Sequence, residues 1–174
     1  TDGLKNANSV VTVTGTYNGT EAKCYTGTLK TTFTIGKLDL KKNQAKIIIK
    51  ATNPGKKFDY ANGDLEIDKS EVNVYLVDPT TGRGEFASDI SLNDFVKKVT
   101  VDASAIGTGK TFKVTFDPAA INASANFKDE DKDEFTVQSK TLYPETQGDK
   151  NTAEIVAIDL SKIKVKLNSP VKVG

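Results

Sequence analysis

The densest run of carboxylates in the chain is Asp129-Glu130-Asp131-Lys132-Asp133-Glu134. Asp129, Asp131 and Asp133 alternate as the first ligands of a calcium loop do, and a hard cation such as Ca2+ takes about six to eight oxygens. The rest of the loop pattern is missing. The glycine expected next is Glu134, the twelfth position is Lys140 rather than Glu, and Lys132 puts a positive charge inside the run. The expectation is therefore a solvated acidic loop, with a weak Ca2+ site on Asp129, Asp131 and Asp133 as the alternative. No other cofactor is expected.

Gly107-Thr108-Gly109-Lys110-Thr111 ends like a phosphate-binding loop, but Ser104 stands where the first glycine is required. The segment lies between two strand-like runs, with no amphipathic helix after it to present backbone N–H groups to phosphate, so a hairpin turn is expected. Asp64, Glu66 and Asp68 alternate along a strand-like stretch and read as an exposed polar face. Lys5, Lys23, Lys30 and Lys37 lie beside strands, where lysines guard sheet edges against pairing. A Lys–Asn isopeptide with an acidic helper needs three side chains brought together in an apolar core, which spacing cannot establish.

The composition excludes further chemistry. There is no His, no Trp and no Met, and Cys24 is the single cysteine. A His-based triad, a His–metal site and a Cys-x-x-Cys pair cannot be built from this chain alone. Cys24 has no internal disulfide partner and no His to activate it. No two carboxylates are singled out as a glycosidase pair, and the five tyrosines, Tyr17, Tyr25, Tyr60, Tyr75 and Tyr143, are too scattered to form a sugar platform. Twenty-four basic against 23 acidic residues leave a net charge of +1 in 174 residues. Neither nucleic acid nor an anionic membrane is electrostatically favoured as a partner. These counts point away from an enzyme.

The elements that must position these residues are strands. Ser9 to Gly15 is β-branched and stops before the Asn18-Gly19 turn. Thr28 to Ile35 alternates Leu29, Thr31, Phe33 and Ile35 against Thr28, Lys30, Thr32 and Thr34, which predicts a half-buried strand. Ala45 to Ala51 predicts a strand covered on both faces, closed by Asn53-Pro54-Gly55. Glu71 to Val77, Val96 to Val101, Thr111 to Phe116, Phe135 to Leu142, Ala153 to Leu160 and Ile163 to Leu167 complete the set. Asp117 to Ile121 suits one helical turn, and Leu92 to Lys98 is the weak helix candidate. Short strands at regular intervals, separated by Gly, Pro and Asn-Gly, indicate an all-β fold, an immunoglobulin-like β-sandwich of one or two modules. No stretch approaches the roughly eighteen apolar residues of a membrane-spanning helix. The opening Thr1-Asp2-Gly3 is expected to follow a removed leader or to belong to a segment of a longer chain.

One internal repeat stands out. Ile35-Gly36-Lys37-Leu38-Asp39-Leu40-Lys41-Lys42 and Ile155-Val156-Ala157-Ile158-Asp159-Leu160-Ser161-Lys162 share I-x-x-(L/I)-D-L-x-K, 120 residues apart (159 − 39). Each runs into a Lys-flanked aliphatic stretch, Lys46 to Lys50 and Lys162 to Leu167. Val10 to Gly19, then Tyr25 to Ile35, resemble the closing half of bacterial immunoglobulin-like repeats, and Asp159 to Leu167 resembles the opening of the next one. The resemblance implies a string of modules in a large secreted or wall-attached protein of Gram-positive bacteria. It divides the chain into closing strands at 1–36, a central sandwich at 37–157 and an opening strand at 158–174, with the two end segments pairing with each other or with neighbouring modules. The family brings no catalytic residues. The function expected is a structural spacer or assembly module, of the adhesin-stalk or surface-layer kind, on the bacterial cell surface. Its partners are neighbouring modules. The alternative is a module that binds a glycan or a host protein through the loops Asp78 to Glu85 and Asn126 to Glu134, with Ca2+ at Asp129 to Asp133.

Overall fold

The computed structural model describes residues 7–17, 19, 27–76, 90–139 and 151–162. The chain is mostly β. Thirteen strands and one helix lie among the described residues: β1 (Val10–Gly15), β2 (Leu29–Thr34), β3 (Leu38–Asp39), β4 (Ile47–Ala51), β5 (Lys57–Asp59), β6 (Asp64–Ile67), β7 (Val72–Leu76), β8 (Ile90–Ser91), β9 (Val96–Asp102), β10 (Gly107–Phe116), α1 (Pro118–Ala123), β11 (Phe127–Lys128), β12 (Thr136–Gln138) and β13 (Thr152–Val156).

Alternation dictates the two principal sheets. One runs β5-β13-β10-β9-β6, with β12 also on β10; the other is β4-β7-β8. Val99 and Val101 of β9 and Phe112, Val114 and Phe116 of β10 are buried, as are Val72, Val74 and Leu76 of β7. Together with Ile47 and Ile49 of β4 and Ile155 of β13, they form one apolar cluster fed by both sheets. Ile48 is buried too, so β4 is covered on both faces as its unbroken aliphatic run requires. Phe116 stacks on Phe135 at 4.8 Å between ring centroids, and Phe95 meets Phe127 edge-on at 5.6 Å.

β10 sets the long dimension. Its first half pairs with β13, from Gly107 opposite Ile155 to Thr111 opposite Thr152. Its second half pairs with β12. Beyond Phe116 the chain turns through α1, where the Asp117 carboxylate accepts from Ala119 N and Pro118 fills the first helical position. It then enters β11, which lies parallel to β3.

Three expectations change. Leu92 to Lys98 is not a helix: Asn93–Phe95 forms a single 3-10 turn, and the β-branched alternation from Val96 onward belongs to β9. Gly107-Thr108-Gly109 is not the turn between β9 and β10 but part of β10, at a register shift where Gly107 (φ 146°) and Gly109 (φ 74°) take values that favour glycine. β2 is not half-buried. All six of its residues are exposed, because β1 and β2 form a two-stranded sheet separate from the two principal sheets. Ile163 to Leu167 lies outside the described residues.

Candidate functional site

The acidic run meets the first copy of the repeat. Asp39, nearly buried at the end of β3, accepts from Lys42 N (2.9 Å) through Oδ1 and from Glu130 N (3.4 Å) through Oδ2. Its carbonyl accepts from Asn43 Nδ2 (2.8 Å). β3 lies against β11, whose chain continues into the acidic residues, so Lys41 and Lys42 come to rest on the carboxylates. Lys41 Nζ is 3.0 Å from Asp131 Oδ2 and 3.9 Å from Asp133 Oδ2. Lys42 and Lys128 both pair with Glu130, and Lys97 pairs with Glu134. Asn122 of α1 fixes the loop from the other side: its Oδ1 accepts from Asp129 N (3.0 Å) and its Nδ2 donates to Asp129 O (3.1 Å).

The electrostatics follow from these contacts. The Lys128 and then the Lys42 ammonium groups hydrogen-bonded to Glu130 pull its carboxyl down to about 2. Lys41 is raised, first by its hydrogen bond to Asp131; Lys42 by Glu130; Lys97 by Glu134.

Among the calcium candidates, Asp131 and Asp133 share Lys41, whereas Asp129 is buried. Asp129 Oδ1 accepts from Asp131 N (3.2 Å), and its Oδ2 has no hydrogen-bond partner. Among the described residues no group of three or more acidic, His or Cys side chains is arranged to hold a metal ion. The arrangement joins two distant segments by ion pairs. Lys41 and Lys42 were missed as partners of the run, and the signal that could have found them is opposite charge: a Lys-Lys pair in the repeat against a run of five carboxylates with a single lysine.

A second polar feature lies on the outer face of the larger sheet. Asp64, Glu66, Lys98, Thr100, Lys113, Thr115 and Thr136 line a shallow groove of about 290 Å3. Lys113 Nζ reaches both Asp64 oxygens, at 3.0 and 3.1 Å, and the Thr115 and Thr136 hydroxyls are 3.0 Å apart. Asp64 and Glu66 of β6 are exposed, as the alternation predicts, and so is Asp68, whose carboxylate caps the following turn at Ser70 N.

Lys110 and Thr111 of the Gly-Lys-Thr segment pair with Ala153 and Thr152 inside the sheet. β10 runs on from them to Phe116, so no helix begins at this segment. No lysine is among the buried residues described, so no isopeptide grouping in the core is seen there. Lys37 Nζ donates to Ser124 O (2.6 Å), a tie between segments. Cys24, Lys5, Lys23, Tyr25, Tyr143 and the loop Asp78 to Glu85 lie outside the described residues. No helix among the described residues is long and apolar enough to cross a membrane.

No protein-family model, curated protein or solved structure matches this chain.

Proposed function

We propose that the chain is a non-catalytic structural module, a spacer or assembly unit of a bacterial extracellular surface protein, built as an immunoglobulin-like sandwich. Its partners are neighbouring modules of the same protein or array. The observation that carries the reading is the internal use of its densest charge cluster: Lys41, Lys42, Lys97 and Lys128 neutralise the run from Glu130 to Glu134 and tie it to the β3 segment. Carboxylates committed in this way hold segments together rather than turn over a substrate. The finer architecture is supported by the single apolar cluster shared by β4-β7-β8 and the larger sheet. An antibody raised against the chain is expected to label intact cells that make it. Labelling that requires permeabilised cells would refute the surface assignment.

One observation favours the Ca2+-assisted binding alternative: the unpartnered, buried Asp129 Oδ2. Lys41 and Lys42 already occupy the carboxylates around it, so calcium titration is expected to give neither heat nor a change in melting temperature. A saturable heat that Asp129→Asn abolishes would move the assignment to the binding module.

A further inference from the structure

The two copies of the I-x-x-(L/I)-D-L-x-K motif meet opposite fates. In the first, Leu38 packs against the core and Leu40 is fully buried. In the second, the counterparts Ile158 and Leu160 are 46% and 74% exposed. The strands that precede the two copies differ in the opposite sense. β13 buries Ala153 and Ile155 in the core shared with β4, the strand to which the first copy leads. β2, in register with β13 at the same 120-residue offset, exposes Phe33, the counterpart of Ala153. Phe33 faces the same way as Val11, its cross-strand partner, and as Val13 and Leu29. Leu29 is 83% and Phe33 53% exposed. A monomer seldom leaves such an apolar stripe uncovered on a two-stranded sheet that, among the described residues, no third strand joins.

These two uncovered pieces sit at opposite poles. The hairpin β1–β2 joins the body where Ile35 leads into β3, beside β11; Ala7 N donates to Asn126 Oδ1 there. That is the Phe116 end of β10, through α1 and the Phe95–Phe127 contact. Ile158 and Leu160 follow β13, whose end lies beside Gly107, at the other end of β10. Ten residues of strand separate the poles by about 30 Å.

We propose that copies of this chain associate head to tail, the segment from Ile158 to Leu167 of one copy covering the Val11, Val13, Leu29 and Phe33 face of the hairpin on the next. The occupant is a second copy because the body of each copy shows the pairing when complete: the stretch that follows the motif, β4, faces the strand of β13 type across a shared core. Ile163-Lys164-Val165-Lys166-Leu167, directly after the second motif, is aliphatic at every other residue. The contact is heterologous, so it does not close on a dimer but grows. The proposal deepens the assembly reading above and rests on it.

Sedimentation velocity of the full chain, from low-micromolar to near-millimolar concentration, tests it. The weight-average mass is expected to rise past that of two copies. Phe33→Glu and Leu160→Asp, both at exposed positions, are each expected to remain monomeric at all concentrations. Mixed in equal amounts they are expected to form a two-chain species and stop, since one supplies an intact tail and the other an intact hairpin. Leu29→Asp repeats the hairpin variant at the opposite end of the face, and circular dichroism with an unchanged melting temperature certifies that each variant is folded. A wild-type chain that stays monomeric, that stops at a closed dimer, or that associates equally well with either variant overturns the proposal. A monomer that still labels intact cells removes the head-to-tail contact and leaves the spacer reading standing; an associating chain found inside the cell does the reverse.

Discussion

Asp39 is the residue on which the β3 segment and the acidic loop converge, and its carboxylate satisfies two main-chain donors in a nearly buried setting. Asp39→Ala removes the acceptor of both Lys42 N and Glu130 N, and urea denaturation is expected to show a loss of about 1–3 kcal/mol. An unchanged midpoint would mean the contact is incidental. The Glu130 carboxyl, held at about 2 by Lys128 and Lys42 against an ordinary 4.5, has a lowered folded-state pKa. Its contribution is complete above about 4.5 and is lost as the pH falls through 2. Asp68 and Asp102 are lowered too, chiefly by their hydrogen bonds to Ser70 and Ser104, and act in the same direction. The melting temperature is therefore expected to fall between pH 5 and pH 2, and Glu130→Gln to flatten part of that slope; identical acid profiles for the two proteins would contradict the ion-pair account. At Gly109, with φ at 74° in a strand, Gly109→Val is expected to cost at least about 1–2 kcal/mol, read as a lower midpoint in the same denaturation.

At the scale of elements, the sharpest comparison is between the two motif copies. Leu40 is fully buried and Leu160 is exposed. Leu40→Ala is expected to cost about 2–5 kcal/mol, while Leu160→Ala stays within about 0.5 kcal/mol for the monomer. Equal losses would show that both copies are docked within one chain. The long strands were legible because alternation survives over five or more residues: β7 buries Val72, Val74 and Leu76 and leaves Asn73 and Tyr75 partly exposed. The strands β3, β5, β8 and β11 were not, since two or three residues carry too little period to be told from loop. Alternation in β2 fixed which face is apolar, but whether anything covers that face is a tertiary fact. Leu92 to Lys98 forms no more than the 3-10 turn Asn93–Phe95 because Asn93 spends its Oδ1 on Val74 N (2.7 Å) and Val96 onward pairs in β9. The acidic run was visible as residue types; its partners Lys41 and Lys42, about ninety residues away, were not, because only the β3–β11 pairing brings them together.

Over the whole molecule, the body from β3 to β13 completes its own core, while most of the exposed large apolar side chains among the described residues, Ile90 and Ile106 apart, lie on the hairpin and on the segment after β13, one at each pole. A nearly neutral net charge offers little long-range repulsion between copies, so short-range apolar contact is free to set their order. Hydrogen exchange at two protein concentrations tests this division most directly. The account predicts that β9 and β10 amides are protected equally at both, and that β1 and β2 amides exchange rapidly when dilute and gain protection when concentrated. Hairpin amides as slow as those of β10 in dilute solution, or indifferent to concentration, would contradict it.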